Sequence, residues 1–448
     1  MGIGMDIKEI AERYNKYGYY IPQYTSECIY SLISDISGSL VEIDKDDWIM
    51  DIPPNFNLYS CLVGSKGSGK STTINKFKNR IYSKVIEGLT TKFSLDMVKD
   101  NLSIQTLEGL APTGEGLTKQ LSGMNGRVIR IIGTEFGKTM SQMFGNSYLS
   151  LLPTVFIKLH DGDVIDRFLT GGNVHIEGGK FTTMMIDLHP QDLDNIEYIE
   201  GGLGRRTNLA IYKGKLIIPD LSVETAKQNK SKVEELDAEL IKYLVERFSW
   251  FFRAENDPKP KIRFNREALQ ILLKLSNKYG TDSDLSIQRY PTVLKYAILE
   301  AIINSPYSNN TLMVDKECIM RAMNHLNQYQ DEQKEISFHI KMGVSEERVN
   351  MVIEYVNKKS YEDNGNIQFV MHSELLRNFS SMNGKQLQEV EKELAQSRKC
   401  YVITYKSPKK KPRRMLAKGD IPERVIRTYL DREENRNGWE KYEIEGDT

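Results

Sequence analysis

Lys70 and Ser71 follow directly on a glycine-rich run in CLVGSKGSGKSTTINKF, residues 61–77. The stretch Gly64-Ser65-Lys66-Gly67-Ser68-Gly69-Lys70-Ser71 fills every position of G-x-x-x-x-G-K-[ST]. Gly64, Gly67 and Gly69 admit backbone conformations closed to residues with a Cβ, which turns successive N–H groups inward. A helix beginning near Lys70 would add its positive N-terminal end. Such a loop cradles a triphosphate. Lys70 is expected to reach the β- and γ-phosphates, and the Ser71 hydroxyl to ligate Mg²⁺. With Thr72 beside them, these residues form the candidate site for ATP and Mg²⁺.

Hydrolysis needs an acid as well. In RVIRIIGTEFGKTM (127–140), Val128 to Ile132 predict a buried strand. Glu135 then lies at its C-terminal tip, where open α/β sheets hold their ligands. Glu135 is the candidate base that polarises the attacking water and, with Ser71, a candidate metal residue. Thr134 stands where an Asp is usual; it carries no charge but can hydrogen-bond a metal-bound water. A second acidic strand competes for this role, FTTMMIDLHPQD (181–192), with Asp187 near its end. It reads best as the next core strand, with His189 as the sensor of the γ-phosphate and Asp187 as the alternative. Between the two strands, DRFLTGGNVHIEGGKFTT (166–183) has β-like runs on either side of a Gly-Gly-Asn turn, a hairpin signal. His175 and Lys180 are its candidates for contact with nucleic-acid phosphate.

These residues need a scaffold. At 448 residues the chain has room for two to four domains, and a hydrophobic content of 40% suits a folded core. Residues 1–55 predict a small helical segment, with DIPPN leading into the first core strand. Residues 56–220 alternate strands and helices as an α/β nucleotide-binding core does. Residues 221–335 show helical periodicity and predict an all-α lid. Residues 336–420 read as helices followed by strand, basic turn and strand, the plan of a winged helix-turn-helix. Residues 421–448 read as a charged, peripheral tail. Lys+Arg and Asp+Glu both total 61, which argues against a protein that coats nucleic acid over its whole surface but leaves room for a local basic patch. The four cysteines are scattered, without a CxxC pair, and predict neither a zinc ribbon nor a disulfide framework. No apolar run is long enough to span a bilayer, and the expected setting is cytoplasmic.

The patch is found in YKSPKKKPRRMLAK, residues 405–418. Lys406, Lys409, Lys410, Lys411, Arg413 and Arg414 crowd one turn that two prolines keep extended. A wing of this kind grips phosphates with strong salt dependence. The adjacent candidate recognition helix, GKQLQEVEKELAQSRK, carries several Glu residues, so the wing is expected to supply affinity and no base readout is assigned.

Taken in order, PTGEGLTKQL, RVIRIIGTEFGKTM and LLPTVFIKLHDGDVIDRFLTGGNVHIEGGKFTTMMIDLHP resemble the ATPase core of the MCM replicative helicases and related AAA+ helicase-like proteins of viruses and plasmids. The resemblance covers roughly residues 56–410. It implies an AAA+ P-loop fold, a ring, most simply a hexamer, and ATP-driven movement on DNA. It implies that GGLGRRTNLAIY (201–212) is the arginine-finger segment, with Arg205 favoured and Arg206 as the alternative. It implies a helical lid over 286–326, with Arg289 at the sensor 2 position. Three features depart from the family: Thr134 in place of Asp, His189 in place of Asn, and no counterpart in 1–55 of the large N-terminal DNA-binding domain. The expected function is a DNA helicase or translocase of a mobile element or virus. The alternatives are an ATP-switched DNA-binding regulator and a DNA-remodelling ATPase that does not unwind.

Overall fold

The structure, a computed structural model, describes residues 4–44, 48, 55–108, 119–124, 126–134, 136, 152–169, 172–176, 181–190, 206–212, 222–254, 257–279, 289–328, 346–363, 366–379, 384–397, 399–406, 412–437 and 441–445. Its contacts divide the chain into two compact units, residues 1–334 and 335–448.

The first unit is built on a five-stranded sheet whose neighbouring strands all run parallel. In chain order the strands are β2 (Tyr59–Gly64), β3 (Ile104–Glu108), β4 (Val128–Gly133), β7 (Phe181–Leu188) and β8 (Thr207–Tyr212). In space the order is β3-β4-β7-β2-β8. β2 and β4 are buried along their whole length, which is why they read as mostly apolar runs, interrupted by Ser60 and Arg130, instead of alternating ones. The chain leaves β2 for the far edge and works back to it through β4 and β7. It then crosses to the other side of β2 to form β8. The order therefore reverses at β2, the place where such sheets bind ligands beyond their carboxyl ends. The hairpin expected between the acidic strands is present as β5 (Ile165–Leu169) and β6 (Gly172–Ile176), with Asp166 opposite His175.

Helix α1 (Ile7–Gly18) is capped by Asp6, whose carboxylate accepts from the N–H groups of Lys8 and Glu9 at 2.9 and 3.1 Å. The next helix, α2 (Pro22–Leu40), is central. Every residue from Tyr24 to Ser37 is buried. It lies against β7, β8 and the helix that follows the glycine loop. The N-terminal segment is thus part of the interior of this unit. That helix runs as α3 (Lys70–Ile74), a stretch of wider π turns over Asn75–Ile81, and α4 (Tyr82–Lys92). It is followed by α5 (Leu95–Leu102) and, ahead of the hairpin, α6 (Leu152–Asp161).

After β8 come α7 (Val223–Ser249), α8 (Arg266–Tyr279), α9 (Arg289–Asn304) and α10 (Lys316–Asn327). The all-helical expectation for this region needs correction. β1 (Glu42–Ile43), β9 (Lys261–Phe264), β11 (Thr311–Val314) and β10 (Tyr307–Ser308) form a second small sheet in that order. β9 alternates exposed and buried residues, and β10 turns into β11 through Asn309 and Asn310 at φ 48° and 57°. Two asparagines with positive φ are the chemistry of a tight hairpin. The strands are too short to disturb the helical periodicity around them.

The second unit runs α11 (Glu346–Lys359), the strand pair β12 (Tyr361–Asp363) and β13 (Asn366–Gln368), β14 (Val370–Met371), α12 (His372–Asn378), α13 (Gly384–Gln396), β15 (Cys400–Lys406) and β16 (Arg413–Lys418). It ends in α14 (Glu423–Asn437) and β17 (Lys441–Glu445). β14, β16, β15 and β17 form an antiparallel sheet in that order. The supposed tail belongs to the fold, because β17 pairs with β15 and Ile421, Ile426, Leu430 and Ile444 are buried. Its many charges mask a helix with one apolar face.

No helix among the described residues is long and apolar enough to cross a membrane.

Candidate functional site

The glycine loop leaves the carboxyl end of β2 and enters α3 at Lys70. Gly67 and Gly69 adopt φ of 83° and 81°, the left-handed region that side chains resist. The Ser68 N–H donates to the Ser65 carbonyl at 3.2 Å, and the Thr73 hydroxyl to the Gly69 carbonyl at 2.8 Å. The Lys70 ammonium folds back over the loop. It donates to the Gly64 carbonyl at 2.5 Å, the Ser65 carbonyl at 3.1 Å and the Ser68 hydroxyl at 3.4 Å. Lys66, Gly67, Ser71 and Thr72 are exposed, and Ser65, Gly69 and Lys70 half-buried. The Ser65 hydroxyl oxygen is nevertheless shielded from solvent and has no hydrogen-bond partner among the described residues.

Two contacts fix this loop from outside it. Tyr24 of α2 donates its phenol to the Val63 carbonyl at 2.7 Å and lies 3.5 Å from the Ser68 hydroxyl. It packs so close that a Cβ on Gly64 would meet the Tyr24 oxygen at 2.2 Å. The Ser71 hydroxyl donates to the Asp187 carboxylate at 2.6 Å. Asp187 is 4% exposed and stands opposite Leu62 in the register of β7 with β2. Hydroxyl and carboxylate form an all-oxygen donor pair, suited to a hard cation such as Mg²⁺. Among the described residues no group of three or more His, Cys, Asp and Glu side chains gathers, so substrate phosphates would have to supply further ligands.

Of the other residues singled out from sequence, Thr134 is exposed just beyond β4, and His189 is half-buried one residue beyond β7. Arg289 begins α9 and His175 is exposed on β6. Glu135, Lys180, Arg205, Lys409, Lys410 and Lys411 lie outside the described residues.

Arg206, the alternative for the finger, is half-buried, and its guanidinium donates to Asp161 through Nε at 2.8 Å and Nη2 at 2.5 Å. Asp161 also accepts from His160 Nδ1 at 2.8 Å. Burial opposes charge on Asp161, but these hydrogen bonds outweigh it and hold the carboxyl well below its usual range. His160 Nε2 in turn accepts from the buried Lys295 of α9, which also donates to the Asn57 carbonyl at 2.6 Å. Burial, with Lys295 adding to it, pulls His160 down to about 3, so the imidazole stays neutral with its proton on Nδ1. Burial lowers Lys295 to about 7. The chain Arg206–Asp161–His160–Lys295 ties the start of β8 to α9.

Arg414 is half-buried, and its guanidinium lies 3.2 Å from Glu391, a fully buried residue of α13 that also accepts from His372 Nδ1 at 2.6 Å. Lys406 and Arg413, at the two strand ends that flank the basic turn, are exposed.

Sequence reasoning missed the buried polar side chains of α2. Glu27 accepts from Ser60 of β2 at 2.5 Å, Tyr296 of α9 at 2.5 Å and Asn208 of β8 at 2.9 Å. Asp35 pairs with Lys78 and with Arg130 of β4, and accepts from the Thr183 hydroxyl at 2.5 Å. The signal was present in ECIYSLISDISGSL (27–40), where two acids stand in a helix that is apolar or small all round. Such a helix is interior, and its acids must find partners.

Compared with protein-family models and with curated proteins, the chain matches none.

Proposed function

We propose that this protein is an AAA+ ATPase that assembles as a ring, most simply a hexamer, and couples ATP hydrolysis to movement on DNA as a helicase or translocase. The observation that carries the ATPase reading is the Lys70-Ser71 loop at the reversal point of a parallel sheet, with Asp187 hydrogen-bonded to Ser71 at 2.6 Å. In this reading the loop N–H groups and α3 bind the phosphates. Lys70 exchanges its loop carbonyls for phosphate oxygens, and Ser71 faces the cation. Bound Mg²⁺ would supply charge neutralisation across the β- and γ-phosphates. Glu135, beyond the tip of β4, orients and deprotonates the attacking water, and His189 beyond β7 contacts the γ-phosphate.

The DNA part rests on the second unit. Its succession of helix, short strand, two helices and a β15–β16 pair around a basic turn supports the winged-helix reading. ATP hydrolysis stimulated by single-stranded or forked DNA, with displacement of a labelled strand, tests the proposal. Hydrolysis that DNA does not stimulate would favour the ATP-switched regulator; stimulation without displacement would favour the remodelling enzyme. Neutralising Lys409, Lys410, Lys411, Arg413 and Arg414 should weaken binding and lower the slope of log K against log salt by about 0.7 to 0.9 for every phosphate the altered turn no longer neutralises. An unchanged slope would leave the second unit as a protein-binding module.

Arg205 is the favoured finger, with Arg206 as the alternative. A guanidinium donated by a neighbouring subunit would neutralise charge in the transition state. Arg205→Ala should keep nucleotide binding and lose turnover. Mixing it with Lys70→Ala subunits should restore part of the activity, since some interfaces then pair an intact loop with an intact finger. No recovery between freely exchanging subunits would remove Arg205 from this role.

A further inference from the structure

We infer that Asp187, on the strand next to the glycine loop, is the carboxylate that holds the cation, a charge that Thr134 beyond β4 does not supply. The inference rests on the ATPase reading and assigns the metal within it. It divides two tasks between two strands, leaving Glu135 to act on water.

Three observations converge on Asp187. The first is reach. β7 is the immediate neighbour of β2, whereas β4 is one strand further out. Strands in a sheet are spaced about 4.8 Å apart, so the tip of β4 stands about 10 Å from the line of β2 and that of β7 only half as far. The second is charge. Thr134 beyond β4 is uncharged and exposed, while Asp187 is a carboxylate 4% exposed among the apolar residues of β7. Burying a carboxylate is costly unless its charge has a use or a partner. The third is direction. The Ser71 hydroxyl spends its proton on Asp187 at 2.6 Å. A hydroxyl has one proton and two lone pairs, so a proton fixed on Asp187 leaves the lone pairs for a cation. Asp187 therefore orients one oxygen ligand and supplies the negative charge. Oxygen-only coordination completed by phosphates is what Mg²⁺ prefers.

The test is binding of a fluorescent ATP analogue at varied Mg²⁺, with a chelator control, in the full chain. Mg²⁺ should tighten binding to the unaltered protein. Asp187→Asn should bind the analogue in chelator as the unaltered protein does, while the Mg²⁺ concentration it needs rises about 10- to 100-fold. Glu87→Ala, at an exposed ion pair outside the site, should keep the ordinary Mg²⁺ requirement. An unchanged requirement in Asp187→Asn, with nucleotide still bound, would overturn the inference and leave the ATPase reading standing. No binding by the unaltered protein, with or without Mg²⁺, would overturn both. A second measurement needs no substitution. Fe²⁺ bound in place of Mg²⁺, with ascorbate and peroxide, should cut the backbone beside Ser71 and Asp187. Cuts confined to residues 134–135 would overturn the assignment.

Discussion

Replacing Lys70 with Ala should lower ATP hydrolysis by about 10²- to 10³-fold or more, the range for removal of one preorganised group that meets transition-state charge. Lys70 carries the positive charge that the ATPase reading sets against the γ-phosphate. In the structure its ammonium rests on two loop carbonyls and a hydroxyl. These are contacts that a phosphate would replace, and none of them closes the core. The variant should therefore fold normally, bind nucleotide more weakly and turn over almost none. Phosphate release at saturating ATP measures the effect, and an unchanged thermal midpoint excludes unfolding as its cause. Ordinary turnover in a well-folded variant would end the ATPase reading.

The second large effect concerns stability. Asp35→Ala should destabilise the first unit by about 3–5 kcal/mol, the cost of leaving buried charge uncompensated. The side chains of Asp35, Lys78 and Arg130 are 0%, 1% and 4% exposed, so one carboxylate lies between two cations out of contact with water. Burial already lowers Lys78 to about 8 against the opposing pull of Asp35. Ser31 accepts from Lys78 at 2.8 Å, and the Tyr82 ring lies under the Arg130 guanidinium at 3.8 Å, but neither carries a compensating charge. The control is Glu87→Ala. It breaks an ion pair with Lys84 whose partners are 65% and 63% exposed, so it should cost less than about 1 kcal/mol. Urea unfolding of both variants gives the comparison. A shift for Asp35→Ala no larger than for Glu87→Ala would refute the prediction.

The loop was legible because its chemistry is local. Glycines, lysine and serine must be adjacent, and the sequence displays them so. The strands β2, β4 and β7 were legible as mostly apolar runs, and the hairpin from its Gly-Gly-Asn signal, of which Gly172 and Asn173 belong to β6. The contact between Ser71 and Asp187 was not legible, since the two residues are 116 positions apart and meet only because β7 lies beside β2. Strand order is a property of the whole sheet, and no window of sequence contains it. The ion pairs of Arg206 with Asp161 and of Arg414 with Glu391 were hidden for the same reason. The interior place of helix α2 was signalled by its apolar and small residues, but the partners of Glu27 and Asp35 lie on distant elements.

The interior position of α2 has a consequence for how the chain is made. Tyr30 donates to Glu300 at 2.5 Å across 270 residues of sequence. Domains emerge N-terminus first at about 5–20 residues per second, so Glu300 follows Tyr30 from the ribosome by roughly 15 to 55 s. Within that interval the earlier strands and the cations of Asp35 arrive first, while Glu27 waits longer for Asn208 and Tyr296. The early-made α2 is among the last elements to be fully buried, and a nascent chain must keep it from other partners until β8 and α9 have arrived.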